Sequence, residues 1–245
     1  MSMSKAKAEN RELPKRFYAQ AGASYEDGHW QVTLDGRAVK TPASNTLALP
    51  SERLAMAVAQ EWESQVDVIN PFQMPLTRLC NVALDRMSAV RSEAADEVAR
   101  FAQTDLLCHR SDDRALAERQ ARAWDKYLKW SAMALDAPLE STDGLFAITQ
   151  PESSIAALRG HALALDDFRL TGLVSAVPLL TSAVLGFALL QAENDAKSLW
   201  TLSRLEIDFQ NERWGEDEEA VLAAANALRD LMACETLFRV LDEES

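Results

Sequence analysis

The sequence predicts an α+β fold, with a small N-terminal β-containing domain that has one covering helix, followed by a larger all-helical bundle. Alternating apolar residues and turn dipeptides are concentrated in the first 50 of the 245 residues. From Ser51 onward, apolar residues recur at three- and four-residue spacing, which is the period of an amphipathic helix. We therefore divide the chain into a tail at residues 1–13, expected to be disordered, and two domains at residues 14–72 and 73–245.

The first strands are indicated by alternation and by turn chemistry. Apolar residues at every second position from Trp30 to Leu34 predict a strand with one buried face. The Asp35-Gly36 pair that follows suits a two-residue hairpin turn, which makes Gly36 a structural residue because both turn positions need positive φ. Pro42 has no amide hydrogen to donate, so strand pairing should stop there. Further short strands are expected at residues 17–21, 37–41 and 47–49.

The helix that should cover this sheet begins after Ser51, a suitable N-cap residue. Trp62 lies on its apolar stripe with Val58 and Val66, so we expect the indole to have a structural role in the core. Pro75 and the residues before it should separate this helix from the bundle. Later helices are expected at residues 76–87, 88–103, 113–135, 153–164, 167–177, 181–193, 195–214 and 218–241, with a turn at Gly144.

One apolar stretch raises the question of a membrane span. Residues 170–192 contain no charged side chain and are long enough to cross a bilayer. Pro178 would break the middle of such a helix, and several Gly, Ser and Thr residues make the stretch only moderately apolar. Two buried helices that meet near residues 178–182 are therefore the expected structure, without membrane insertion.

The charge of the chain is acidic and unevenly placed. The formal net charge is -13, which argues against a nucleic-acid partner because phosphate binding needs clustered Lys and Arg. Between Glu193 and Ser245 there are 14 acidic and 5 basic residues. This region would attract a partner of basic character, or it is a solvated surface that keeps the protein soluble.

The sequence lacks the residue patterns of common catalytic and cofactor sites. Its eight glycines form neither a phosphate-binding loop nor a dinucleotide fingerprint. Cys108 and His109 are adjacent and cannot both reach one metal from a regular element. We therefore expect no cofactor, no metal and no enzymatic activity. The widely spaced cysteines, which include Cys80 and Cys234, favour a reducing compartment over a disulfide framework.

A more informative pattern is the stripe formed by Glu206, Gln210 and Trp214. Residues four apart lie along one side of a helix, so the three side chains should line up. In one interpretation they border a groove that receives a client polypeptide, with Glu206 accepting a basic or amide group. In the other, Gln210 and Trp214 pack at a domain seam while Glu206 pairs with a buried arginine such as Arg78 or Arg100.

Several short blocks, taken in order, give the sequence a family resemblance. The set is similar to the assembly chaperones that protect the α subunit of the F-type ATP synthase. The blocks are Leu34 to Pro42, Leu47-Ala48-Leu49-Pro50, Glu61-Trp62-Glu63-Ser64-Gln65, Met74-Pro75-Leu76-Thr77, Thr104-Asp105-Leu106-Leu107-Cys108, and Glu206-Ile207-Asp208-Phe209-Gln210 leading to Trp214-Gly215.

This resemblance implies an ATP-independent chaperone that covers the newly made α subunit until the β subunit displaces it. The protein would be a monomer when free and would act in a bacterial cytoplasm, or in the mitochondrial matrix if a presequence has been removed. Two other interpretations stay open: a carboxylate-based enzyme with a site near Glu206, and an interaction protein with an unrelated client.

Overall fold

The computed structural model describes residues 13–143, 148–215 and 217–243. Most of the tail that we expect to be disordered, and the turn predicted at Gly144, therefore lie outside the described residues. The chain divides into two compact units, residues 1–81 and residues 82–245. The domain boundary predicted at residue 72 lies nine residues before the boundary between these units.

The first unit is built on a small antiparallel sheet with β2 at its centre. One edge of β2 pairs along its whole length with β1, from Ala21 opposite Leu34 to Glu26 opposite His29. The other edge is shared, because β3 pairs near the end of β2 and β4 pairs near its beginning. The strands are β1 (Ala21–Glu26), β2 (His29–Leu34), β3 (Arg37–Ala38) and β4 (Ala48–Leu49).

Two tight turns connect these strands. Asp35 and Gly36 have φ values of 48° and 78°, which confirms the predicted turn between β2 and β3. Asp27 and Gly28, at 53° and 84°, make a second turn of the same kind between β1 and β2, and the sequence analysis missed it. The same Asp-Gly signal would have identified it.

The strand predicted at residues 17–21 is wrong, because the first strand begins only at Ala21. The backbone N–H groups of Ala19 and Gln20 donate to the Asp35 carboxylate, at 3.0 Å and 2.9 Å, and not to a neighbouring strand. The carboxylate of the turn thus replaces the ladder that an additional strand would need.

Helix α1 (Glu52–Glu63) covers the sheet, as the sequence predicts. The Ser51 hydroxyl accepts a hydrogen bond from the Leu54 N–H at 3.1 Å and so caps its first turn. Val58 is buried, whereas Trp62 is half-buried and Val66 is 79% exposed. Val66 does not extend the apolar stripe, because α1 ends three residues before it.

The remainder of the chain is mainly helical. Helix α2 runs directly into a π-helical segment (Ala83–Met87) and then into the next helix. A short parallel pair, β5 (His109–Arg110) and β6 (Thr142–Asp143), lies beside the bundle helices. The helices are α2 (Pro75–Val82), α3 (Ser88–Gln103), α4 (Arg114–Ala134), α5 (Glu152–Ala164), α6 (Asp167–Leu180), α7 (Ala183–Leu190), α8 (Ala196–Ser203), α9 (Leu205–Trp214) and α10 (Glu218–Asp242).

Helices α6 and α7 form the centre of the second unit. Every residue of α7 is buried, and α6 packs against α3, α7 and the second half of α10. Gly172 lets α10 approach closely, since a Cβ atom there would lie 2.4 Å from the Phe238 ring. Gly186 does the same for α6 and α7, where a Cβ atom would lie 2.6 Å from Val177.

The uncharged stretch at residues 170–192 forms two buried helices, as predicted. Pro178 is accommodated in the last turn of α6, and the chain changes direction at Thr181, whose φ is 51°. The Ser182 hydroxyl then caps α7 by accepting from the Leu185 N–H at 3.0 Å. Within the described residues, none of the helices combines the length and the apolarity needed to cross a membrane.

The single helix predicted at residues 195–214 is wrong. Two helices, α8 and α9, meet at Arg204, whose φ of -100° and ψ of 4° do not fit a continuous α-helix. No glycine or proline lies at the break, so it has no local signal in the sequence. The stripe from Glu206 to Trp214 is unaffected, because it lies wholly within α9.

Candidate functional site

Helix α9 is anchored to the second unit by its inner side. Phe209 is its buried side chain, with 6% of its surface exposed. The guanidinium groups of Arg119 on α4 and Arg213 on α9 lie over this ring, at 5.0 Å and 4.1 Å from its centre. Cation–π contacts of this kind orient the helix as well as stabilise it.

Ion pairs between α4 and α9 support the same attachment. Arg119 donates to both carboxylate oxygens of Glu212, at 2.9 Å and 3.0 Å. Arg213 lies 3.0 Å from the carboxylate of Asp113, the N-cap residue of α4. A hydrogen bond from the Leu116 N–H, with Arg213 beside it, holds the pKa of Asp113 below its usual range. A shallow groove of about 430 Å³ runs between α4 and α9.

The predicted stripe lies on a solvent-exposed side of α9, next to the side that carries Phe209. Glu206, Gln210 and Trp214 are all exposed, and 78% of the Trp214 surface is accessible. We call these three residues the α9 face. Ile207 beside it is 46% exposed. The structure thus brings the three predicted residues together on one accessible surface.

Within the described part of the second unit, the stripe is not packed against other helices. Gln210 and Trp214 are open to solvent, and Glu206 forms no ion pair with any residue that the structure describes. Arg100, one of the arginines considered as its partner, hydrogen-bonds Glu97 on its own helix. A carboxylate, an amide and an indole are therefore presented to solvent from a helix that Phe209 and its ion pairs fix to α4.

The helix after the α9 face extends this accessible region. Gly215 caps α9, with its N–H donating to the Asn211 carbonyl at 2.9 Å. The first half of α10 is largely exposed, including Val221 at 48% and Leu222 at 66%. The buried residues of α10 begin only at Leu231.

In the first unit, the block from Glu61 to Gln65 is explained by structural contacts. The Glu61 carboxylate accepts from the N–H groups of Leu76 and Thr77, at 2.8 Å and 2.7 Å, and from the Thr77 hydroxyl at 2.7 Å. It thereby caps the first turn of α2, which begins at Pro75. Burial raises the pKa of Glu61 although these hydrogen bonds act in the opposite direction.

Glu63, the other acidic residue of this block, interacts with different residues. The Glu63 carboxylate accepts from the Ala21 N–H at 2.7 Å and pairs with Arg16 at 3.2 Å. The hydrogen bond from Ala21 and the neighbouring Arg16 lower the pKa of Glu63. Glu61 and Glu63 therefore bind different partners and do not form an acid/base pair.

The remaining residues expected to be structural occupy defined positions. Trp62 contacts the Tyr18 ring at 5.9 Å between centres, and its buried Nε1 has no hydrogen-bond partner among the described residues. Gly36 completes the turn after β2, and Pro75 is the buried first residue of α2. Pro42 is exposed in the loop that precedes β4.

Sequence reasoning missed Asp105, a buried acid in the second unit. Its carboxylate accepts from the Leu107 N–H at 3.0 Å, the Ser182 hydroxyl at 2.7 Å and the Val184 N–H at 3.1 Å. Burial raises its pKa to about 6. The residue thus joins the segment after α3 to the N-terminus of α7, and its partner helix is too distant in sequence to have been inferred.

Metal-ligating residues are not grouped in the parts of the chain that the structure describes, where no cluster of three His, Cys, Asp or Glu residues could hold an ion. The three cysteines are all buried, and none of them is in a disulfide. Burial raises the pKa of the Cys108 thiol to about 12 and that of Cys80 further still.

Comparisons with known proteins agree on one family. A model of the ATP12 chaperone protein family matches residues 15–132. The mitochondrial protein atp12 of Schizosaccharomyces pombe is 24% identical over 219 residues, which cover 84% of this chain and 75% of that protein.

Solved structures show the same relationship. Crystal structures of Atp12 from Paracoccus denitrificans and of a mutant of it each match with a TM-score of 0.86 and 39% identity, covering 92% of this chain and 97% of theirs. A crystal structure from Agrobacterium tumefaciens, described as a chaperone candidate, matches with a TM-score of 0.89 and 34% identity over 98% of this chain and 92% of that one. The α+β fold and the likeness to assembly chaperones are thereby confirmed, and the chain belongs to the ATP12 chaperone family, whose members assist assembly of the F1-ATPase.

Proposed function

We propose that this protein binds the unassembled α subunit of the F-type ATP synthase and holds it until the β subunit takes its place. The observation that carries the proposal is the α9 face, where Glu206, Gln210 and Trp214 are exposed on a helix that is fixed to α4 by neighbouring residues. The protein would act by binding and not by catalysis, without ATP or a cofactor.

The chemistry of the α9 face suits recognition of a polypeptide. An exposed tryptophan supplies a large, rigid apolar surface, and such residues often dominate the binding energy of protein interfaces. Glu206 and Gln210 add acceptors for basic and amide groups. Because α9 is already fixed to α4 by Phe209 and its ion pairs, little ordering would be needed at the moment of binding.

Holding and release follow from relative affinity. An unassembled ring subunit exposes an apolar interface of about 2,000 Å² or more, which favours aggregation in water. A chaperone that covers part of that interface prevents aggregation, provided that it binds more weakly than the proper neighbour. The β subunit can then displace it without any energy source.

We also propose that the free protein is a monomer in a bacterial cytoplasm. Its identity is 39% and 34% to the proteins from Paracoccus and Agrobacterium, against 24% to the yeast mitochondrial relative. These values support a bacterial origin.

The proposal is tested by expressing the chain together with the α subunit from the same source. We expect a soluble complex of equal stoichiometry that dissociates when the β subunit is added. Glu206→Lys should abolish the complex while leaving thermal unfolding unchanged, because Glu206 is exposed and unpaired among the described residues.

A matched control separates the position of the charge from the change in net charge. Glu93→Lys introduces the same charge change at an exposed position on α3 and should leave the complex intact. If the wild-type chain does not keep the α subunit soluble, the proposed client is wrong. If both variants bind equally well, the α9 face is not the docking surface.

A further inference from the structure

A short two-stranded ribbon at the start of the described chain presents an unusual surface. Lys15 lies opposite Val68 in an isolated antiparallel bridge. Two backbone hydrogen bonds flank it, from the Arg16 N–H to the Asp67 carbonyl at 2.9 Å and from the Ile69 N–H to the Pro14 carbonyl at 2.8 Å. Residues 13–17 and 66–69 therefore run beside each other in a fixed register.

The two faces of this ribbon differ sharply. Side chains alternate between the faces of an extended segment, so Tyr18 and Ile69 point inward, where each is only 6% exposed. The other face carries large apolar side chains that are left open to solvent. We call it the ribbon face, and its members are Leu13 (38% exposed), Phe17 (73%), Val66 (79%) and Val68 (38%), together with the exposed Lys15.

The ribbon face is held rigid by Arg16, which lies behind it. The guanidinium donates to the carbonyl groups of Tyr18 at 3.0 Å, Glu63 at 2.9 Å and Ala19 at 2.7 Å, and also to that of Gln65. These contacts tie the first strand of the ribbon to the end of α1 and to Gln65, the residue that precedes the second strand. An apolar surface that is exposed yet well ordered loses little entropy when a partner covers it.

We infer that the ribbon face is a second docking surface for the client, and that it receives an apolar strip of the unassembled α subunit carrying a carboxylate opposite Lys15. The inference rests on the proposed function. Contiguous exposed apolar side chains commonly mark protein interaction sites. In a chaperone client, the surface that such side chains would contact is the apolar interface that the subunit exposes before assembly.

Charge supports this choice of partner. Lys15 is the one charged side chain of the ribbon face, and it forms no ion pair with a described residue. Asp67 alternates to the opposite face of the ribbon. In a chain of net charge -13, this face is thus locally basic, the reverse of the acidic α9 face. A client that meets both faces would present an acidic group to one and a basic or amide group to the other.

The size of the ribbon face argues against a second copy of the chain as its occupant. A stable interface usually buries about 1,200–2,000 Å² in total, more than a handful of partly exposed side chains provides. A client that also engages the α9 face needs only a small contribution from the ribbon face, because the second contact forms within one complex.

The decisive experiment measures the affinity of the α subunit for the double variant Phe17→Ser/Val66→Ser. Both side chains are mostly exposed, so thermal unfolding should change little. Burial of a phenylalanine or valine contributes enough that losing both should raise Kd about tenfold or more. The matched control is Tyr25→Ser/Met56→Ser, which removes two other exposed apolar side chains, 62% and 52% exposed, from the same unit.

Lys15 provides a test of the charge. Lys15→Glu should bind the α subunit more weakly than the wild-type chain does, whereas Lys15→Arg should bind it as tightly. If the wild-type chain binds the α subunit and the Phe17/Val66 variant binds equally well, the ribbon face is not a docking surface, although the proposed function stands. If the wild-type chain does not bind the α subunit, the proposed function fails first. If the same variant converts a wild-type dimer to a monomer, the occupant is a second copy and the inference is wrong.

Discussion

Arg16 connects parts of the first unit that are distant in sequence. Its guanidinium group reaches carbonyl groups near its own position and others at the end of α1, and it pairs with the Glu63 carboxylate at 3.2 Å. Only 16% of the side chain is exposed. A planar fork with several donors suits this arrangement, and a lysine ammonium group does not.

We therefore expect Arg16→Lys to lower the free energy of unfolding by about 2 kcal/mol, because several partly buried or exposed carbonyl groups lose a charged donor. Denaturant unfolding monitored by circular dichroism measures this. Arg37→Lys makes the same exchange at an exposed position and should change stability by less than about 0.5 kcal/mol. Equal losses in the two variants would show that the Arg16 network is not stabilising.

Asp105 gives the protein a defined pH dependence. Its pKa is about 6 in the folded state and about 4 in the unfolded chain, so between these values the folded state retains a proton that the unfolded state has released. The contribution of Asp105 to the free energy of unfolding is therefore present below pH 4. It falls by about 3 kcal/mol as the pH rises to 6.

The difference in unfolding free energy between the wild-type chain and Asp105→Asn isolates this effect, because the other carboxylates titrate equally in both. We expect the difference to decrease from pH 4 to pH 6 and to stay constant above it. The readout is urea unfolding across this pH range. Parallel curves for the two proteins would exclude Asp105 as the titrating group.

For single residues, the sequence predicts which side chains share a helix face but not which distant residues they hydrogen-bond. The α9 face could be predicted because its alignment needs only the four-residue spacing of Glu206, Gln210 and Trp214 on one helix. The roles of Arg16 and Asp105 could not, because their acceptors and donors come from segments tens of residues away. Trp62 was expected in the core and is half-buried, with its Nε1 unpaired among the described residues.

Among the elements, the contact between α6 and α10 depends on a residue without a side chain. A Cβ atom at Gly172 would lie 2.4 Å from one atom of the Phe238 ring and 2.8 Å from another. Phe238 is itself buried, so the ring has little room to move away. The close approach of the two helices thus requires glycine at this position.

We expect Gly172→Ala to lower the free energy of unfolding by about 1–3 kcal/mol, the usual effect of overpacking a core. Gly160→Ala in α5 is the control, because nothing lies within 4 Å of its Cβ position. That change should stabilise the protein by up to about 1 kcal/mol, since alanine favours the helix. Thermal unfolding of the two variants should therefore shift in opposite directions, and stabilisation by both would show that the helices can separate freely.

Elements with local signals were predicted well, and those set by packing were not. Ser51 and Asp113 cap helices where their side chains indicate, and the Asp35-Gly36 turn forms as expected. The break between α8 and α9 at Arg204 has no such signal, because packing against neighbouring helices outweighs continuous helical propensity there. Pro178 was expected to end α6, yet it fits within the last turn.

Over the whole molecule, the acidic charge should govern how fast a client is found. The segment from Glu193 to Ser245 has 14 acidic and 5 basic residues, and α9 and α10 make up most of it. Association with the proposed α subunit should therefore slow as salt is added, while dissociation changes less. Biosensor kinetics across a salt series measure both rates. A rate of association independent of salt would contradict electrostatic steering.

The α+β fold class could be predicted because the apolar period changes from two residues to between three and four near Ser51. The ribbon face could not be predicted, because it joins residues 13–17 to residues 66–69. Neither segment contains a sequence pattern that indicates this pairing. Short-range periodicity determined the elements, whereas long-range pairing determined this surface.

The chain contains six tryptophans, and in the described structure Trp214 is the one whose side chain is mostly exposed. Its indole on the α9 face would therefore dominate the long-wavelength part of the intrinsic fluorescence and be the one most readily quenched by small solutes. A client seated on the α9 face would shield this ring from water and shift its emission to shorter wavelength. The protein thus carries a built-in optical reporter of its own occupancy, and binding and release can be followed in real time without a label.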